Sequence, residues 1–136
     1  RPKAAILCAV ENVTDTMPET VDAAQLKRES SSGVFGPCVV EGPISLDLAT
    51  DREAARIKRY SSPVAGDADI LLAPSISAGN FLGKALYGLA GGQMAGVVLG
   101  ARVPITVNSR GASAQEKYSS IVLCATAGGE GGLCPS

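Results

Sequence analysis

The chain reads as an α/β domain built on a mostly parallel sheet of about five strands flanked by helices. Three observations predict this. Short, nearly continuous apolar runs recur, as strands buried on both faces require. Between them lie segments with apolar residues at i, i+3, i+4 and i+7, the spacing of one helix face. The 136 residues, 46% hydrophobic and 18% charged, suit one globular domain with its own core rather than a disordered chain.

The elements follow in order. Ala4 to Val10 is an apolar first strand. After a polar stretch, Pro18 or Thr20 opens a helix through Val21, Ala24 and Arg28, ending in the Ser30–Gly33 cluster. Pro37 to Glu41 is a second strand, closed by the turn signal Gly42-Pro43. Ser45 to Arg59, rich in Ala, Glu and Arg, reads as one helix, broken by Ser61-Ser62-Pro63. Asp69 to Ala73 is a third strand, stopped by Pro74. Gly79-Asn80 lead into a helix whose Leu82, Ala85, Leu86 and Leu89 share a face, and Gly91-Gly92 end it. Ala95 to Leu99 and Pro104 to Val107 are the fourth and fifth strands. The last helix starts at Ser113 and carries Tyr118, Ile121, Val122 and Ala125 as its apolar stripe. Residues 1–127 thus form the domain, and 128–136 are expected to be a frayed or disordered Gly-rich tail.

Composition removes several function classes. A net charge of -1 argues against broad nucleic-acid or anionic-membrane binding. No run approaches the roughly 18 apolar residues of a membrane span. The opening "RPKAAILCAV" lacks a small-residue cleavage site and reads as a buried strand, not a signal peptide. Histidine is absent, which excludes a Ser-His-Asp or Cys-His device within the chain and any His-ligated metal; no metal site is expected. Acid–base work falls to Asp, Glu, Lys, Tyr or Cys. Cys8, Cys38, Cys124 and Cys134 form no C-x-x-C pair. They read as thiols of a reduced, cytoplasmic protein, the first three buried and Cys134 exposed in the tail.

The stretch "VNSRGASAQE", Val107 to Glu116, is a strand end, a loop and a helix start. In α/β folds ligands bind beyond the carboxyl ends of strands, near helix N-termini. Gly111 lets backbone turn sharply or approach a ligand. The helix start offers free N–H groups and partial positive charge, Arg110 a planar cation, and Ser109 and Ser113 hydroxyl donors. Together they make a candidate oxyanion site. The competing reading needs no ligand: Ser113 and Glu116 spell an S-x-x-E capping box, and Arg110 is a solvated charge. The junction Pro74 to Asn80 is a second strand-to-helix turn, which Ser75, Ser77 or Asn80 could cap. Lys84, one turn on, either faces an anion or is an ordinary surface lysine. Asp67 and Asp69 read as solvated strand-end charges. Arg52, Arg56 and Arg59, with Lys58, read as a solvated face partnered by Asp51 and Glu53.

Taken in order, "VEGPISLDLA", "AGDADILLAPSISAGNFLGKAL" and "AGVVLGARVPITVNSRGAS" resemble the phosphate acetyl/butyryltransferase family, from about Lys3 to Ala125. "KAAILCAVENV" and "MPETVDAA" look more like its butyryltransferase branch. The resemblance implies interconversion of acyl-CoA plus phosphate with acyl phosphate plus CoA, on short-chain acyl groups. It implies two α/β lobes of isocitrate/isopropylmalate dehydrogenase-like architecture, with the active site between them. This chain resembles the second, C-terminal lobe alone, and the first lobe, with its arginines, is missing. By position the resemblance gives Arg110 phosphate or acyl-phosphate oxygens to bind, and Ser109 charge to stabilise at the carbonyl. Gly111 completes the matching Ser-Arg-Gly loop, and Ser113 is a substrate-binding candidate by its hydroxyl at the helix start. Glu116 falls where acetyltransferase members carry an aspartate proposed to deprotonate the CoA thiol. Gly79 and Asn80 match a Gly-Asn pair that lines the cleft, and Lys84 follows as a substrate-binding candidate. No cofactor is implied, coenzyme A being a substrate, and relatives are homo-oligomers.

Departures are Pro74-Ser75 for the frequent Pro-Asp, Ala112 for a cysteine, and the tail "GGEGGLCPS", which matches nothing in the family. The alternative is a lobe that binds CoA or phosphate, or serves in assembly, without turnover. A dehydrogenase is disfavoured because no Gly-x-Gly-x-x-Gly follows a strand.

Overall fold

The structure, a computed structural model, describes residues 1–128. The expectations for the rest of the tail, Cys134 included, lie outside the described residues. The chain divides into two compact units, Arg1–Leu82 and a second that begins at Gly83.

The first unit is a parallel three-stranded sheet in the order β2-β1-β3, made of β1 (Lys3–Leu7), β2 (Val39–Ile44) and β3 (Ile70–Leu72). Every residue from Ala4 to Cys8 is buried, as a strand covered on both faces demands. Alternation divides them. Ile6 and Cys8 meet Ala23 of α1 (Pro18–Ser31), while Ala5 and Leu7 meet Ile44, Leu48 and Ala49 on the other side. Pro18 opens α1, and buried Thr20 closes the loop before it, its hydroxyl donating to the Met17 carbonyl at 2.7 Å.

Several expectations are corrected. The second strand does not stop at Gly42-Pro43 but runs through it. Pro43 is tolerated because β2 is an edge strand and its register with β1 shifts between Ala5 and Leu7, so no ladder bond is lost there. Gly42 is needed for packing: a Cβ there would sit 2.7 Å from the Cβ of Ile6. The single helix over 45–59 is two, α2 (Leu46–Thr50) and α3 (Arg52–Ile57). Asp51 breaks it, adopting extended backbone so that its carboxylate accepts the Glu53 N–H at 2.8 Å as a cap. Helix α4 (Ile76–Gly88) starts before Gly79, not after Asn80, because Ser75 caps it by accepting the Ala78 N–H at 3.2 Å.

The fourth and fifth strands do not join the sheet, so the described strands number three rather than five. What remains of them is one antiparallel bridge between Val98 and Ile105. Gly100, at φ 94°, turns the chain back. A parallel pair would need a crossover of a dozen residues or more, and the connection is far shorter.

Helix α5 (Ala114–Ala127) is present, but its predicted apolar stripe points outward. Tyr118 and Ile121 are 65% and 58% exposed, while Ser120 and Ala127 are its buried residues. Helix α4 buries no residue. Cys8 is buried, whereas Cys38 and Cys124 are half-buried rather than buried; all three are free thiols.

Candidate functional site

The charges singled out in the first unit are engaged in holding it together. Asp67 pairs with Lys3 and with Arg52, the latter at 2.9 Å, and Asp69 accepts the Lys3 backbone N–H at 2.8 Å. Arg56 forks onto Glu53 at 2.6 and 2.8 Å. Lys58 bridges Asp47 and Glu11, and its hydrogen bond holds the Asp47 carboxyl down to about 2. Glu41 is buried, which pushes its pKa up. Hydrogen bonds from Lys27 at 2.5 Å and Ser62 at 2.7 Å, with the charge of Lys27 and the nearby Tyr60, outweigh that and leave it below the usual range. Gly79 and Asn80 belong to this unit. Gly79 packs on the end of β3, where a Cβ would approach that of Ala73 to 3.3 Å. Asn80, with Ile76, Ser77 and Phe81, lines an open depression of about 220 Å³.

The second unit is electrostatically different. From Gly83 to Gly128 it carries Lys84, Arg102, Arg110 and Lys117 against one carboxylate, Glu116. Among the described residues no carboxylate comes within ion-pair distance of any of these cations. Arg110 and Lys84 are exposed, free to meet an anion from solution.

The loop that carries Arg110 is a tight turn. Ala112 N–H donates to the Ser109 carbonyl at 3.0 Å, and Gly111 N–H reaches the Ser109 hydroxyl at 3.4 Å. Ser109 and Glu116 line one cavity of about 80 Å³, together with Asn108, Ser120 and residues 94–96. Arg110, Gly111 and Ser113 are in the turn beside it. Gly111 has neither a left-handed φ nor any atom within 4 Å of a would-be Cβ. Neither backbone geometry nor packing therefore requires glycine there.

The capping box is formed. Ser113 Oγ accepts the Glu116 N–H at 3.2 Å, and Glu116 Oε2 accepts the Ser113 N–H at 2.7 Å. Tyr87 O–H donates to the same oxygen at 2.9 Å. The Ser113 hydrogen bonds, then Tyr87, lower the Glu116 pKa, and the hydrogen bond to Glu116 with its charge raises that of Tyr87. A carboxylate so held is a weak base. The cap does not plug the helix end, since the N–H groups of Ala114 and Gln115 find no acceptor among the described residues.

Sequence reasoning did not name Tyr87, Asn108 or Ser120 as site residues, nor Arg102 and Lys117 as unpaired cations. The two cations were visible as a local excess of positive charge. The hydrogen bonds were not, because they join residues 29 and 12 positions apart.

The family profile for phosphate acetyl/butaryl transferase matches residues 1–125. The chain belongs to that family. It is 48% identical over 124 residues to a phosphate acetyltransferase of Rhizobium meliloti, covering 91% of this chain and 39% of the relative. To a probable phosphate butyryltransferase of Bacillus subtilis it is 46% identical, covering 95% and 43%. The crystal structure of a branched-chain phosphotransacylase from Enterococcus faecalis superposes with a TM-score of 0.79 at 39% identity, over 91% of this chain and 44% of that one. The chain thus spans less than half the length of these family members. Acetyl- and butyryltransferases match it about equally, so membership does not by itself select a branch.

Proposed function

We propose that this chain is the anion-binding lobe of a short-chain acyltransferase that interconverts acyl-CoA plus phosphate with acyl phosphate plus CoA, of the butyryltransferase-like branch. The observation that carries the reading is the Ser109-Arg110-Gly111 turn, where an exposed, unpaired guanidinium stands beside two free helix N–H groups in a positively charged unit. Those are the elements that bind phosphate oxygens.

In the direction of acyl-CoA formation, the CoA thiolate attacks the acyl-phosphate carbonyl carbon. A C–S bond forms, the C–O bond to phosphate breaks, and the electron pair leaves on phosphate. Arg110 meets the departing phosphate. The Ser109 hydroxyl and the helix N–H groups meet the oxyanion that develops at the carbonyl. Glu116 takes the thiol proton on Oε1, the oxygen that the cap does not use, while Oε2 keeps the Ser113 N–H and orders the turn. Gly79 and Asn80 are cleft-lining candidates by family resemblance, and Lys84, an exposed lysine, is a separate candidate for an anion of the substrate. A first lobe and homo-oligomerisation belong to the same proposal, as does the cytoplasm, in keeping with the three free thiols. No helix among the described residues is long and apolar enough to cross a membrane.

The test is titration of the chain with inorganic phosphate, read by amide chemical shifts. Wild type is expected to show shifts at residues 109–115, and Arg110→Ala to lose them with its fold intact by circular dichroism. Equal binding by Arg110→Ala would end the anion-site reading. The second reading is a lobe that binds CoA or phosphate, or serves in assembly, without turnover. Thiol release from butyryl-CoA plus phosphate, assayed on the chain, separates the two: turnover excludes the non-catalytic lobe.

A further inference from the structure

Behind the anion loop lies a closed set of polar contacts that the proposed reaction does not use. Ser120, in the middle of α5, is 1% exposed. Its hydroxyl faces Asn108 Oδ1 at 2.9 Å and the Glu116 carbonyl at 2.8 Å, and accepts the Gly96 N–H at 3.0 Å. Asn108 Nδ2 donates in turn to Thr106 Oγ1 at 3.3 Å, and Thr106 Oγ1 to the Gly96 carbonyl at 3.3 Å. A serine turned inward is a costly choice for a helix whose tyrosine and isoleucine point outward, unless the hydroxyl has a task.

Asn108 immediately precedes Ser109. Fastening its side chain to α5 and to the 96–106 backbone fixes the direction in which the chain enters the Ser109-Arg110-Gly111 turn. Among the described residues, Ser109 to Ala112 is held by the 3.0 Å Ala112–Ser109 bond and the long 3.4 Å contact from Gly111, with the capping box fastening Ser113 at its far end. An exposed turn so lightly tied owes its preorganisation to what anchors its ends, and preorganisation is what a bound anion would otherwise have to supply. We infer that Asn108 and Ser120 are positioning residues: their side-chain clasp holds the Arg110 loop in its anion-ready conformation, without either residue touching the ligand. This rests on the phosphate-binding reading of the loop proposed above.

The test is inorganic phosphate affinity of the chain, measured by amide shift titration on wild type, Asn108→Ala, Ser120→Ala, the double variant, Ser120→Thr and Arg110→Ala. Circular dichroism confirms the fold of each. Each single alanine variant is expected to weaken phosphate about tenfold, which corresponds to about 1.4 kcal/mol. The double variant is expected to weaken it no further, since the two act as one unit. Ser120→Thr, which keeps the hydroxyl and can place its methyl toward the cavity, is expected to restore affinity. Should Ser120→Ala not fold, Asn108→Ala, at a half-buried loop position, carries the test alone.

Wild-type affinity in the folded alanine variants, with only their thermal midpoints lowered, would show a merely structural clasp and overturn the inference. If those variants bind like wild type while Arg110→Ala does not, only the positioning role falls. If Arg110→Ala binds like wild type, the anion reading falls and this one with it.

Discussion

The two units of the chain solve opposite problems. The first, Arg1–Leu82, is acidic, with eight Lys and Arg against eleven Asp and Glu, and its charges are laced into ion pairs around a packed core. Leu48, Ile44 and Val64 are wholly buried there, each worth roughly 1.5–3 kcal/mol of hydrophobic burial. The second is basic, leaves its cations without ion pairs among the described residues, and turns the apolar stripe of α5 outward while burying a serine. One region spends its side chains on stability. The other holds charge and apolar surface available for something outside itself. A segment that binds anions has to look like the second, because a guanidinium already satisfied by a carboxylate has little left for phosphate.

Matched truncations are the strongest way to break this contrast. Leu48→Ala, at a site with no solvent exposure, is expected to lose about 3 kcal/mol in urea unfolding. Ile121→Ala, on the outward face of α5, should stay within about 0.5 kcal/mol of wild type. Equal losses would mean that the α5 face is covered in solution after all.

Paired glycine substitutions come next. At Gly66, φ is 64° and a Cβ would fall 2.4 Å from the Arg52 Cγ and 2.5 Å from its backbone N. Gly66→Ala is therefore expected to lose about 2 kcal/mol or more, read from the thermal midpoint. Gly111→Ala meets nothing within 4 Å and should leave stability within about 0.5 kcal/mol, yet weaken inorganic phosphate in a titration. A large stability loss at Gly111 would make it a structural residue and blur the contrast.

The smallest effect concerns pH. The folded Glu41 carboxyl lies below its ordinary value. Its contribution is therefore complete above the unfolded carboxylate pKa of about 4.3 and is lost as pH falls through the lower folded value. Urea unfolding between pH 7 and pH 3 should show this acid limb flattened in Glu41→Gln. Glu116 is shifted in the same direction, but its carboxylate sits at the surface, where solvent screens it. Glu116→Gln is expected to change the acid limb less. The reverse ranking would move the pH sensitivity from the packed unit to the basic one.

Much of this was legible in advance, for local reasons. Of the expected strand Ala4 to Val10, Ala4 to Cys8 is buried, whereas the strand ends at Leu7 and Ala9 is exposed. Ser113 and Glu116 stand at capping-box spacing and form the box. Lys84, Arg102, Arg110 and Lys117 are a charge imbalance on the page before they are a surface. Of the candidate site residues, Ser109 and Glu116 share a cavity, Arg110, Gly111 and Ser113 adjoin it in the turn, and Gly79 and Asn80 belong to the first unit. Two of the misses were choices between competing local structures. Asp51 chose to cap one helix rather than continue another, and Gly100 folded two apolar runs onto each other instead of into the sheet.

The sequence by itself determined the three strands of the sheet, a helix opening at Pro18 or Thr20, the cap of α5 and the segregation of charge. Each follows from residues within a turn or two of one another, where propensity and short-range hydrogen bonds decide. The tertiary structure decided which way α5 faces, that Tyr87 reaches Glu116, and that Ser120 fastens Asn108. Periodicity says which side chains share a helix face, but not what that face meets. That depends on contacts distant in sequence, whose free energy exists only once the chain has closed on itself.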